Sequence, residues 1–198
     1  MATALLTGIG LAAPTGLNAY LPLLVLALSD RFTSAISLSR PYSFLSSSWG
    51  IGIITLLLTI EIVVDKVPGL DHANDLIQSP IRPAAGAVLT MAATSTVASI
   101  NPVIAMILGL LVAGSVHVAK ATIRPGITLA TGGIGNPLVS MAEDGAAAIS
   151  AVLAIFVPLL VLLTLVLFAG FLLWAARKRQ RGPLPPGAPS SSSKTSFQ

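Results

Sequence analysis

AAAISAVLAIFVPLLVLLTLVLFAGFLLWAA at residues 146–176, followed at once by RKRQR at 177–181, is the stretch that decides the fold class. The apolar run contains no charged residue. A membrane-crossing helix needs ~20 mostly apolar residues at 1.5 Å each. This run is longer than a ~30 Å hydrocarbon core requires, so tilt or an extra interfacial turn is expected. The cluster Arg177, Lys178, Arg179 and Arg181 directly behind it is a positive-inside signal and puts the C-terminus in the cytoplasm.

The rest of the chain agrees. Of 198 residues, 54% are hydrophobic and 9% are charged, whereas a typical soluble domain carries about 25% charged residues. A soluble fold would need far more polar surface, and a lipid-facing one needs none. The expected architecture is therefore all-α, a polytopic transmembrane bundle in the cell (inner) membrane, with the bilayer itself as the first partner. The net charge of +4 is concentrated in the 177–181 cluster, so it reflects topology rather than nucleic-acid binding. The absence of cysteine excludes disulfides, thiolate metal sites and cysteine nucleophiles. Met1 to Gly16 is apolar but lacks a basic leader and a small-x-small cleavage site, and reads as the start of a retained helix.

Five spans are expected within a membrane domain at 1–176, ahead of a basic stop and a Pro- and Ser-rich disordered cytoplasmic tail at 177–198. The first span runs from Thr3 to Leu28. Ala13-Pro14-Thr15-Gly16-Leu17-Asn18 interrupts it, and a kinked helix is expected there ahead of a broken, re-entrant pair. The second runs from Trp49 to Val67, stopped by Pro68. A charged loop, Gly69 to Pro83, leads to the third at Ala84–Ile100, and Asn101-Pro102 turns into the fourth at Val103–Lys120. Ala121 to Asp144 holds Pro125, Pro137 and four glycines, and reads as a loop or re-entrant segment before the final span. Five spans put the N-terminus outside, with Arg31 and Arg40 inside. A first helix that breaks and turns back changes the count but not the place of the last loop.

Charges outside the tail carry the chemistry, because each costs ~2.5–3.5 kcal/mol at mid-bilayer and needs a partner or water. Glu61, Asp65, Lys66, Asp71, Asp75 and Arg82 flank the second and third spans. Lys120, Arg124, Glu143 and Asp144 flank the fourth and fifth, and the hairpin topology brings both groups to one side. Glu61 and Asp65 share a helix face by their i, i+4 spacing, and His117, Lys120 and Arg124 form a basic face. An acidic stripe thus faces a basic one, either as a polar pathway or as an ion-pair network that locks helices together. The carboxylates have the hard oxygens that Mg²⁺, Ca²⁺ or Mn²⁺ would need, but a solvated acidic loop is the commoner explanation of Asp71 and Asp75. His72 and His117 are too few for zinc. No phosphate loop, nucleotide fingerprint or protease motif occurs, so no cofactor is expected and enzyme is the minority reading. Ile81-Arg82-Pro83 and Ile123-Arg124-Pro125 form a short internal echo of the kind seen in transporter repeats.

Ala13-Pro14-Thr15-Gly16-Leu17-Asn18-Ala19-Tyr20, Glu61-x-x-x-Asp65-Lys66-x-Pro68-x-x-Asp71, Arg82-Pro83-x-x-Gly86-Ala87, His117-x-x-Lys120-x-x-x-Arg124 and Ser140-x-x-Glu143-Asp144 together resemble a family of small bacterial inner-membrane proteins, domain of unknown function 4126. The resemblance covers Leu5 to Leu165. It implies an all-helical membrane domain and a bacterial origin, and it supplies no substrate. The functional expectation is a small transporter or channel-like protein for an ion or small solute, with homo-oligomers expected for so small a bundle. The alternatives are a structural or regulatory membrane subunit and, third, a metal-dependent membrane enzyme.

Overall fold

Pro14, Gly16 and Asn18 end the first helix instead of kinking it. In the computed structural model, residues 2–66, 70–158, 163, 166–171 and 173–174 are described. Helix α1 (Ala2–Thr15) stops there and α2 (Tyr20–Phe32) begins four residues after Gly16. Asn18 starts α2: its Oδ1 accepts from the N–H groups of Tyr20 and Leu21, at 3.1 and 2.9 Å, satisfying donors that a new helix leaves open.

The two helices run in opposite senses. Early in α1 the Gly8 carbonyl accepts from Thr90 Oγ1 at 3.1 Å. At its end the Leu17 carbonyl accepts from Lys120 Nζ at 2.9 Å. Beyond α2 the chain is back near its starting level, where Ser39 bonds twice to Ser95 at 3.1 Å. The first expected span is thus a helical hairpin with arms of 14 and 13 residues, ~20 Å each. Its tip reaches Lys120, and the start of the chain shares an end of the bundle with Arg31.

Four longer helices complete the bundle: α3 (Ser48–Val64), α4 (Leu70–Thr94), α5 (Pro102–Thr131) and α6 (Asn136–Phe156), with a single 3-10 turn at Tyr42–Phe44 and no strand among the described residues. Ser47 caps α3 by accepting from Gly50 N at 3.0 Å. Arg31 donates to the Ser46 carbonyl and Ser48 Oγ at 3.2 and 3.1 Å, so α3 starts at the Arg31 end and climbs toward the hairpin tip. The expected stop at Pro68 lies outside the described residues.

Three expectations fail for one reason: proline was read as a helix end. Of the charged loop expected at Gly69–Pro83, residues 70–83 are the first half of α4, which continues through Pro80 and Pro83, and Gly69 lies outside the described residues. Helix α5 is capped by Asn101, which accepts from Val103 N at 2.8 Å, and runs through Pro125 to Thr131. The broken stretch Ala121–Asp144 is therefore the end of α5, a tight turn and the start of α6. Gly132 and Gly133 make that turn at φ 61 and 85°, backbone that only glycine adopts without penalty. Proline removes one hydrogen bond and clashes locally, but a helix packed against neighbouring helices tolerates both. The final span also differs: it starts at Asn136 rather than Ala146. It breaks at Val157, whose φ −139° and ψ 67° lie outside the helical region, which the following Pro158 disfavours. In the separate C-terminal unit residues 166–171 are helical. The basic cluster 177–181 and the tail lie outside the described residues.

Small residues set the helix spacing in the core. A Cβ on Gly86 of α4 would collide with Ala113 Cβ and come within 2.8 Å of the Gly109 carbonyl of α5; one on Gly109 would strike the Gly86 carbonyl. Thr90 Oγ1 bridges the carbonyls of Gly86 and Gly8 at 3.0 and 3.1 Å. Such glycine-lined contact lets backbones approach until van der Waals and weak polar terms hold helices together. Gly126 of α5 is different, with no atom within 4 Å of a built Cβ. Gly126→Ala is expected to raise stability by ~0.5–1 kcal/mol through helix propensity alone, read as a higher melting temperature in detergent.

The bundle is apolar outside and polar inside. Leu56, Ile60 and Val63 of α3, Ile107, Leu111 and Val118 of α5, and Leu138, Met141 and Ile149 of α6 are exposed, whereas Glu61, Asp65, Arg82, Lys120 and Arg124 are buried. By length and composition α5 and α6 can each cross a membrane, and α1 and α3 are apolar but shorter.

Candidate functional site

Arg82, at the midpoint of α4, has no exposed surface. Asn74, Gln78 and Arg82 repeat every four residues and so share one face of α4, opposite Glu61 and Asp65 of the oppositely directed α3. Arg82 Nη2 meets Glu61 Oε1 at 3.2 Å. Asn74 Nδ2 donates to Asp65 Oδ1 at 2.6 Å. Antiparallel register then sets Gln78 between the two carboxylates. The other arm of the Arg82 fork reaches Asp75 Oδ1 at 3.0 Å, with Asp65 Oδ2 at 4.0 Å from Nη2. A guanidinium can serve several carboxylates in this way because its donors are fixed in one plane.

Helices α5 and α6 close the network. Lys120 Nζ lies 3.0 Å from Glu143, 3.7 Å from Asp75 and 4.0 Å from Asp65, and donates to the Leu17 carbonyl at the hairpin tip. Arg124 pairs with Glu143 at 2.6 Å and Asp75 at 3.5 Å. Ser140 lies between them, donating to Asp65 Oδ2 at 3.3 Å and within 3.4 Å of Arg124 Nη2. At the edge Lys66 faces Asp144 at 3.7 Å, and Asn18 Nδ2 donates to Asp144 Oδ1 at 3.0 Å. The broken hairpin therefore touches the network through both a carbonyl and a side chain.

The hydrogen bonds around His117 define its tautomer. Arg82 Nη1 lies 3.2 Å from Nδ1, and arginine can only donate, so Nδ1 is the bare, accepting nitrogen. Nε2–H then donates to Ser79 Oγ at 3.0 Å, and Ser79 in turn donates to the Asp75 carbonyl at 2.9 Å. His117 is neutral in this arrangement.

Among the described residues, with His117 neutral, the network sets five carboxylates (Glu61, Asp65, Asp75, Glu143, Asp144) against four cations (Lys66, Arg82, Lys120, Arg124). Its formal balance is one negative charge in excess. Buried polar atoms also lack partners here: the acceptors Glu61 Oε2 and Gln78 Oε1, and the donors Arg82 Nε and Arg124 Nε and Nη1.

Ten of the eleven charged or histidine residues singled out in the sequence converge on this network; the side chain of Asp71 lies outside the described residues, as does that of His72. The facing stripes, however, do not divide by helix. Helix α4 carries both signs, and Glu61 pairs with Arg82 rather than with the α5 cations. Asn74, Gln78 and Ser79 were hidden by reading their segment as a loop, although their four-residue spacing with Arg82 is helical. Asn18 and Ser140 stood in the quoted motifs without a role. Among the described residues no three acidic or histidine side chains group to hold a metal ion. Asp75, Glu143 and Asp144 each lie against a cation instead.

Fold and site together define an all-helical bundle built around a buried, multi-centre ion-pair network. The chain matches the model of the family described as Domain of unknown function (DUF4126) over residues 5–178, and it belongs to that family. The match continues past Leu165 to the start of the basic cluster. No curated protein and no solved structure matches the chain.

Proposed function

We propose that the chain is a multi-pass membrane protein that passes an ion or small solute through the network around Glu61 and Arg82. The carrying observation is the excess of one carboxylate in a buried network surrounded by an apolar exterior. Ion pairs that only lock helices together need no surplus of either sign, and a buried uncompensated charge is costly. The broken α1–α2 hairpin supports the same reading. Interrupted helices in membranes place free backbone groups where a pathway or binding site needs them, and Leu17 presents its carbonyl to Lys120. On this reading α3 to α6 cross the bilayer, the hairpin enters from one side, and Arg177, Lys178, Arg179 and Arg181 stay cytoplasmic.

Purified protein in liposomes tests it. Wild type is expected to dissipate an imposed gradient of H⁺, Na⁺, K⁺ or Cl⁻, and Glu61→Gln to reduce that flux to the level of empty liposomes while the protein still folds. Wild-type flux that survives in Glu61→Gln, or no flux with any of these ions, sinks the proposal. The direct pairing of Arg82, Lys120 and Arg124 favours a second reading, a structural subunit whose charges hold helices. A folded, flux-free wild type is its signature.

A further inference from the structure

We infer that Glu61 is a proton-binding site: its Oε2 takes up and releases a proton inside the bundle, with Gln78 as the neighbouring acceptor. This rests on the same network as the proposed function but names the bound species.

Two independent observations meet at this corner. The first is charge. With His117 held neutral by Arg82 and Ser79, the five carboxylates exceed the four cations by one, and one added positive charge balances them. The second is hydrogen bonding. Glu61 is 1% exposed and Gln78 4%, yet Glu61 Oε2 and Gln78 Oε1 are both buried acceptors without a donor. Gln78 lies between Glu61 and Asp65 by the register that Asn74–Asp65 and Arg82–Glu61 define. An unmet buried acceptor is costly. A flipped Gln78 amide would answer one of the two acceptors but leave the charge excess. A divalent cation would need a set of oxygen ligands, and the described residues hold no such group. A proton on Oε2 answers both observations.

The titratable groups around the site come from four helices. From α4 come Arg82 and Asp75, from α5 His117, Lys120 and Arg124, from α6 Glu143, and Asp65 lies one turn along α3 itself. The remaining carboxylates have closer cations. Glu143 has two, at 2.6 and 3.0 Å, and Asp75 has Arg82 at 3.0 Å. Among the described residues Glu61 has an ion pair only with Arg82, on one oxygen. The step is a simple transfer: hydronium gives its proton to the Glu61 carboxylate, leaving water and a neutral carboxylic acid, and release reverses it. Arg82 does not lose its footing when Glu61 is neutral, because Asp75 still holds the other arm of its fork.

Infrared difference spectra of the purified full chain in nanodiscs, taken as pH is stepped, test this. Wild type is expected to show the carbonyl stretch of one buried carboxylic acid that disappears at high pH. Glu61→Gln should remove that band, and Gln78→Leu should move it to higher frequency by taking away the acceptor while leaving Glu61 in place. Absence of the band at every pH in folded wild type, or its persistence in Glu61→Gln, overturns the inference. The two readings fail separately. A Glu61 band without ion flux leaves the proton site and removes transport. Sodium or potassium flux without the band leaves transport and removes the proton site.

Discussion

Arg82→Met is expected to destabilise the detergent-solubilised protein by ~3–5 kcal/mol, the largest effect of any single charge removal here. Arg82 is fully buried and lies against three carboxylates on two helices, at 3.0, 3.2 and 4.0 Å. Methionine fills much of the volume but leaves Glu61 and Asp65 facing each other one helical turn apart with no cation between α3 and α4. Deleting one partner of a buried pair costs more than the pair itself contributes, because the survivor stays desolvated and unmatched. Adding Glu61→Met to Arg82→Met should therefore recover part of the loss, and the double-mutant cycle reads the coupling directly. Arg82→Lys should fall between wild type and Arg82→Met. A single ammonium keeps the charge but cannot extend separate arms to Glu61 and Asp75. Thermal unfolding in detergent, followed by size-exclusion recovery, measures wild type, Arg82→Met, Glu61→Met, the double variant and Arg82→Lys. An Arg82→Met protein that melts with wild type would show that the ion pairs do not hold the bundle.

Gly86→Val is expected to be about as damaging for a purely steric reason. The first added atom alone would collide with Ala113 Cβ and come within 2.8 Å of the Gly109 carbonyl, with Thr15 Oγ1 at 3.0 Å. Those contacts belong to α5 and α1, and the nearest involve a backbone carbonyl and a methyl on backbone, neither of which can rotate away. The helices must separate. Overpacking costs typically ~1–3 kcal/mol and occasionally more, and a branched side chain at a backbone-to-backbone crossing belongs at the top of that range. Separation would also move Arg82, one turn before Gly86 on the same helix, away from His117 and Lys120, so the ion flux proposed for the network should fall together with the melting temperature. Gly86→Ala should show the same change at smaller size. A Gly86→Val protein with wild-type stability would mean that α4 and α5 do not pack at this crossing. The paired control is Gly126→Ala, on the same α5 but in open space.

The helical class and the members of the network were legible in the sequence because both follow from local rules. Apolar runs of membrane length and scarce charges at four-residue spacing need no knowledge of partners, so Glu61 with Asp65, and His117, Lys120 and Arg124, could be placed on shared faces in advance. Helix boundaries were not legible at Pro80, Pro83 and Pro125. Whether a proline ends a helix or only costs it a hydrogen bond depends on what packs around it. Gly69–Pro83 shows the consequence: read as a loop, it concealed the face that carries Asn74, Gln78 and Arg82.

The long uncharged stretch 146–176 and the composition determined by themselves the all-helical class, and the ordered motifs from Ala13 to Asp144 determined the family resemblance, since both depend on residue types and spacing along one chain. Tertiary structure decided the rest. It divided the first expected span into a hairpin, in which Asn18 accepts from the first N–H groups of α2 and donates to Asp144 on α6. It extended α6 back to Asn136, and it made α4, not the facing stripes, the centre of the charge network. Pairing of Glu61 with Arg82, the neutral tautomer of His117 and the surplus carboxylate all depend on distances between helices, and glycines 86 and 109 set those distances by how closely they let two backbones meet.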